Sequence, residues 1–130
     1  MTAMIILIQP SAKIEADEEK IRVVFQNLIE NAIKYSDKGD KVFISLHAID
    51  DGIEFSVKDT GIGISENEKD KIFNKFFRTD NAKTKDSIGS GLGLYTTKNI
   101  VERHNGKIRF ESNTNGTTFF VDLPLQKENA

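Results

Sequence analysis

Between Asp17 and Ser36, the apolar residues Ile21, Val24, Phe25, Leu28, Ile29, Ala32 and Ile33 fall at i, i+3, i+4, i+7, i+8, i+11 and i+12. That spacing marks one face of a helix. Asp17, Glu18 and Glu19 occupy its first turn, where the helix dipole favours acids, and the polar run Ser36–Asp40 stops it. Ahead of it, Met4–Gln9 is an unbroken apolar run that reads as a buried strand ended by Pro10 and Ser11. Behind it the period falls to two. Lys41–Ile49 and Gly52–Lys58 read as strands joined by a tight turn at Asp50, Asp51 and Gly52. In the first, Val42, Ile44, Leu46 and Ala48 share one face, and Phe43, Ser45 and His47 share the other. Asp59–Ile64 is a glycine loop, and Glu66–Phe77 is expected to form a short helix. Arg78–Ser90 is polar and aperiodic and is expected to be mobile. Leu92–Arg103 reads as a second helix stopped by Asn105 and Gly106. Lys107–Ser112 and Thr117–Leu123 form a last hairpin around Asn115 and Gly116, with Pro124 ending the strand and Gln126–Ala130 a frayed tail. Strands joined by short turns and mixed with helices argue for an α+β fold. The form expected is a two-layer α/β sandwich: a mixed, mostly antiparallel sheet with helices on one face.

The 130 residues fit a single domain spanning 1–130, with no internal repeat or low-complexity linker. Eighteen basic against twenty acidic residues leave a net charge of −2, so no polybasic footprint for nucleic acid is present. The absence of cysteine removes disulfides, thiolate metal sites and a cysteine nucleophile. Met4–Ile8 is too short to cross a bilayer or to serve as a signal peptide. A soluble domain with no membrane contact of its own is expected, most simply cytoplasmic.

Four clusters carry candidate chemistry. Asn27, Asn31 and Lys34 lie at i, i+4 and i+7 on the first helix, a stripe spanning roughly 60° of arc beside the apolar face. Carboxamide oxygens are hard, neutral ligands suited to Mg²⁺, and an ammonium suits phosphate oxygens. A solvated face with a chance pair of asparagines is the plainer alternative. Asp59, Gly61 and Gly63 directly follow a strand. The carboxylate only accepts hydrogen bonds, which would suit the exocyclic amine of adenine and reject the carbonyl of guanine. An ordinary turn after a strand would use the same residue types. Gly89, Gly91 and Gly93 alternate at the start of the second helix, where free N–H groups and the dipole favour phosphate. The spacing is neither a Rossmann nor a Walker A pattern, and a hinge is the alternative. Phe73, Phe76 and Phe77 are three phenylalanines in five residues. They are expected to include a core anchor while leaving some ring surface exposed.

In order and spacing these motifs resemble the ATP-binding catalytic domain of bacterial sensor histidine kinases. That domain belongs to the superfamily shared with DNA gyrase, the MutL mismatch-repair protein and the ninety-kilodalton heat-shock chaperone. Asn27–Ser36 (NLIENAIKYS) looks like the N box, Asp59–Ile64 (DTGIGI) like the first glycine box, Phe73–Arg78 (FNKFFR) like the F box, and Gly89–Leu94 (GSGLGL) like the second glycine box. The resemblance covers about residues 14–125. It implies a Bergerat-type ATP-binding fold with ATP and Mg²⁺ as ligands. Asn31 would ligate the metal, with Asn27 beside it near the phosphates. Lys34 would contact phosphate, and Tyr35 would pack on the adenine. Asp59 would bond the adenine amine, with Gly61, Gly63 and Ile64 shaping the base pocket. Arg78 and the segment to Ser90 would form the lid over ATP, Phe76 would count among the ATP-binding residues, and the F box would dock against the phosphoacceptor helix of the full kinase. Gly89, Ser90, Gly91, Leu92, Gly93 and Leu94 would wrap the phosphates.

The resemblance also has informative departures. Hydrolytic relatives place a glutamate, as general base, where this chain has Asn27, which cannot take a proton at neutral pH. Ser90 stands where the kinases commonly carry threonine, and both supply a hydroxyl. The F box sets the chain apart from the related anti-sigma serine kinases. Neither histidine, His47 or His104, sits in a phosphoacceptor motif. His47 reads as a surface strand residue and His104 as a structural residue at a helix end, where a cation suits the dipole. The implied protein is therefore a piece of a longer sensor that is membrane-anchored as a whole. On its own the domain would be monomeric and would not phosphorylate itself. It would transfer the γ-phosphoryl group of ATP to a histidine on a separate dimerisation domain, with a response regulator downstream. A nucleotide-binding regulatory module without transfer activity, or an ATP hydrolase of the same superfamily, are the alternatives.

Overall fold

Asp17 caps the first helix: its Oδ1 accepts the N–H of Lys20 at 3.2 Å, and its carbonyl accepts that of Ile21 at 2.9 Å. In the computed structural model, which describes residues 3–8 (backbone only), 16–34, 36, 39–77 and 93–124, helix α1 runs Glu18–Lys34. Ile21, Val24, Leu28 and Ala32 are its buried stripe. Ile33, expected on that face, is exposed, because twelve residues at about 100° each carry it roughly 120° around the axis from Ile21.

Strands β1 (Ala3–Ile8), β2 (Lys41–Ile49), β3 (Gly52–Asp59), β4 (Lys107–Asn113) and β5 (Gly116–Pro124) form one sheet in the order β1-β2-β3-β5-β4. β1 pairs with β2 in parallel, and the other pairs are antiparallel. Helix α2 spans Gly93–Arg103. The core joins the α1 stripe to Val42 and Ile44 of β2, Ile53, Phe55 and Val57 of β3, Phe119, Val121 and Leu123 of β5, and Val101 of α2. Phe25 stacks on Phe55 with ring centroids 4.1 Å apart. The expected α+β architecture is the one observed. Both hairpin loops hold two residues, since Ile49 pairs with Gly52 and Asn113 with Gly116. Gly116 is thus the first residue of β5 rather than part of the turn.

Residues 65–77 differ from the short helix expected there. The N–H groups of Glu68, Lys71, Asn74 and Phe77 bond the carbonyls of Ser65, Glu68, Lys71 and Asn74, a succession of i→i+3 turns. The apolar residues crowd into the last turns, and docking them decides the path. Ile72 is buried, and Phe73 packs against Phe110 and Phe119 at 5.9 and 6.3 Å. Phe76 adopts a left-handed φ of 65° and is exposed. Arg78–Leu92 lies outside the described residues, and with it the expected lid.

Both histidines have partners within the fold. His104 Nδ1 lies 2.8 Å from the Ile100 carbonyl, while Nε2 accepts the Asp17 N–H at 3.0 Å. The ring therefore clips α1 to α2, a structural role in keeping with the one expected of it. His47 lies on the sheet face away from the helices, 3.5 Å from Glu54 and cross-strand from it. Arg109 approaches Glu54 at 3.7 Å. Burial, then Asp122, raises the Glu54 carboxyl above its ordinary range.

Candidate functional site

Alternation along β3 decides where Asp59 points. Ile53, Phe55 and Val57 face the helices, and Asp59 is in phase with them. The register sets Asp59 opposite both Val42 and Thr117, and Thr117 opposite Ser112. A polar row thus terminates the core. Asp59 Oδ1 accepts the N–H of Gly61 at 2.9 Å and that of Thr117 at 3.3 Å. Burial raises its pKa above the usual carboxylate range; the two N–H bonds oppose that shift and Asp40 reinforces it.

The loop after Asp59 is stitched to two strands, β2 and β4. Thr60 exchanges two bonds with Lys41, donating its N–H at 3.1 Å and accepting at Oγ1 from the Lys41 N–H at 2.8 Å. The Ile64 N–H donates to Ser112 Oγ at 2.7 Å, and Lys69 Nζ donates to the Ser112 carbonyl at 2.8 Å. Gly63 has a φ of 74°, and a Cβ there would lie 2.1 Å from the Asn113 oxygen. A Cβ on Gly116 would lie 2.0 Å from the Asp59 oxygen. Only glycine allows these backbones to approach so closely.

On α1 the stripe expected from the spacing is present. Asn27 and Asn31 are half-buried, and Lys34 is exposed. Asn27 reaches α2: its Nδ2 lies 3.3 Å from Thr97 Oγ1 and 3.4 Å from the Gly93 carbonyl. The structure therefore joins the first motif to the last nominated glycine. Gly93 opens α2 with nothing within 4 Å of a Cβ built on it, and Leu94 packs on the core. Lys75 Nζ sits 5.3 Å from the Phe76 ring and 5.8 Å from that of Tyr95. Tyr35, Arg78, Gly89, Ser90, Gly91 and Leu92 lie outside the described residues. A cavity of about 800 Å³ borders Ala16, Ile21, Phe25 and Ile29, on the side of α1 turned away from Asn27 and Asn31.

Sequence reasoning missed Thr117, Ser112 and Thr97. The first two were available from strand parity: Thr117 is in phase with Phe119, Val121 and Leu123, and Ser112 with Phe110. Thr97 was available as a polar residue one turn before Val101 on the buried face of α2.

A family model described as Histidine kinase-, DNA gyrase B-, and HSP90-like ATPase matches residues 16–127. Sensor protein kinase WalK of Staphylococcus saprophyticus is 45% identical over 116 residues, which is 86% of this chain and 19% of that protein. The chain therefore spans about a fifth of the length of this relative. Among solved structures, the mycobacterial sensor histidine kinase MprB aligns with a TM-score of 0.85 at 29% identity, covering 98% of this chain and 86% of that one. Histidine kinase ThkA, in complex with response regulator protein TrrA, aligns with a TM-score of 0.77 at 29% identity, covering 96% of this chain and 34% of that one.

Proposed function

This chain belongs to the family of histidine kinase-, DNA gyrase B- and HSP90-like ATPases, and on that premise we propose that it is the Mg-ATP-binding catalytic domain of a sensor histidine kinase. The observation that carries the reading is Asp59. Its carboxylate closes the core row of β3, is cradled by two N–H groups and is raised in pKa by burial. An acceptor fixed in this way reads an amine donor such as that of adenine. Gly61, Gly63 and Ile64 form the walls of the base pocket. At the other end Asn31 and Lys34 face the polyphosphate, and Gly93 and Leu94 bring the start of α2 to it.

The donors fit Mg²⁺: Asn31 is a half-buried neutral oxygen ligand on the stripe that carries Lys34. Bound there, the metal would neutralise charge on the phosphate oxygens. Asn31 holds and orients, Lys34 adds a point charge, and the α2 N-terminus supplies N–H groups. Transfer of the γ-phosphoryl group goes to a histidine on a separate dimerisation domain, since His47 and His104 are engaged within this fold. Catalysis is then positioning plus charge neutralisation. Hydrolysis is the weaker reading, because Asn27 offers water no base and its amide is bonded to α2. The complex of ThkA with TrrA supports a response regulator as the downstream partner.

Incubation with γ-labelled ATP, with and without a histidine-bearing dimerisation domain, tests the reading. Acid-labile, base-stable label should appear only on the added domain. Label on this chain alone, or rapid phosphate release without the partner, would overturn it.

A further inference from the structure

Thr97 is fully buried, one turn into α2. Its hydroxyl donates to the Gly93 carbonyl at 2.8 Å, the bond that a threonine makes to the residue four before it. A hydroxyl has one proton, so the oxygen meets Asn27 only as an acceptor. The Gly93 carbonyl is an acceptor as well. Both contacts therefore need a donor from Asn27, and this fixes its amide: Nδ2 faces α2, at 3.3 and 3.4 Å. The oxygen of the Asn27 side chain, left over, only accepts. It cannot bond phosphate oxygens, which also only accept, and can meet a bound nucleotide only through a metal ion, its water or another donor.

Resting on the nucleotide reading above, we propose that Thr97 is a positioning residue: with Asn27 it latches the start of α2 to α1 and so sets where Gly93 and Leu94 meet the polyphosphate. Three atoms, Thr97 Oγ1, the Gly93 oxygen and Asn27 Nδ2, close one cycle across the two helices that carry the phosphate-end residues. No nominated ligand residue occupies position 97. A valine there would fill the same volume and keep the core, yet would break the cycle.

The test is calorimetric titration of wild type, Thr97→Val, Thr97→Ser and Asn27→Ala with ATP, alongside adenosine followed by amide shifts. Thr97→Val should lower ATP affinity about threefold to tenfold, the weight of one hydrogen bond, with adenosine binding unchanged. Thr97→Ser keeps the hydroxyl and should restore ATP affinity. Adding Thr97→Val to Asn27→Ala should lower it no further, since both remove the same cycle. If Thr97→Val binds ATP as wild type does, or loses adenosine in the same proportion, the latch is wrong and Thr97 is only a core residue. A wild-type chain that binds neither ATP nor ADP would overturn the nucleotide reading and the latch together. A wild type that binds ATP while Thr97→Val is indifferent would overturn the latch alone.

Discussion

The two ends of the candidate nucleotide site are built by opposite means. At the base end, a glycine loop is bonded to β2 and β4, and the carboxylate that precedes it is held by two backbone N–H groups, one of them on β5. At the phosphate end, side chains project from two helices, and the contact between them runs through a few side-chain atoms. On the proposed function, the difference follows from what each end would have to read. Distinguishing an amine from a carbonyl needs an acceptor fixed in position before the ligand arrives. Attraction between an ammonium and polyphosphate falls off slowly with distance and tolerates small displacements, whereas the N–H groups at the start of α2 act only at short range and would depend on how the two helices are held together.

The glycines offer the strongest way to break this contrast. Gly63→Ala and Gly116→Ala each place a Cβ about 2 Å from a backbone oxygen, at φ values of 74° and 136°. Positive φ alone costs about 1–3 kcal/mol, and the overlap adds to it. Both variants should melt well below wild type and bind no nucleotide. Gly93→Ala meets nothing within 4 Å and should leave the melting temperature of the nucleotide-free protein unchanged or slightly higher. Equal losses from all three, seen by thermal unfolding, would erase the distinction between the two ends.

Next in size is Asp59→Ala. It removes the acceptor and leaves the Gly61 and Thr117 N–H groups without this partner. ATP affinity should fall by about tenfold or more, and any preference for ATP over GTP should vanish. A preserved preference in competition binding would move base recognition elsewhere. Asn31→Ala should act only at the other end. Binding in the presence of Mg²⁺ should weaken by about tenfold, on the scale of a lost metal contact. Binding in chelator should be unaffected, and the melting point should hold, because Asn31 lies off the buried stripe of α1.

Periodicity made most of this architecture legible. A 3.6-residue repeat set α1 to within a residue or two, and strict alternation set β2 over its full length. The 65–77 segment escaped because its four apolar residues are clustered rather than periodic, so docking of Ile72 and Phe73, not local propensity, set its path. Asp59 was nominated from its motif, yet its orientation and its partner Thr117 belong to the register of β3 with β5, a pairing across 58 residues. The contact of Asn27 with Thr97 spans 70 residues. Spacing within α1 placed Asn27 in one stripe with Asn31 and Lys34, but nothing local reveals that its amide nitrogen is turned to another helix.

The smallest expected effect concerns the charge on Asp59, and it sharpens the idea that the base end is set up in advance. Burial raises the native pKa of Asp59 above the ordinary aspartate value, which is about 3.9 in the unfolded chain. Below that value the carboxyl is protonated in both states and its full contribution to stability is present. As pH rises toward and through the raised native value, the unfolded state ionises more readily and that contribution is lost. Asp59→Asn keeps an oxygen to accept from Gly61 and Thr117 but carries no charge. At about pH 3.5 the variant and wild type should therefore melt close together. By neutral pH the nucleotide-free variant should melt higher, by on the order of a degree or two for a domain of this size. Glu54 is shifted in the same direction, but it sits five residues away along β3 on the opposite face, roughly 17 Å at strand rise, so the difference between variant and wild type cancels it. Saturating ATP should reverse the order, because only the ionised carboxylate gains a charge-assisted bond from the adenine amine. Melting curves across pH, with and without ATP, decide the matter. A gap that stays constant with pH, or an Asn variant stabilised by ATP as much as wild type, would mean that the buried charge of Asp59 is not what makes the base end selective.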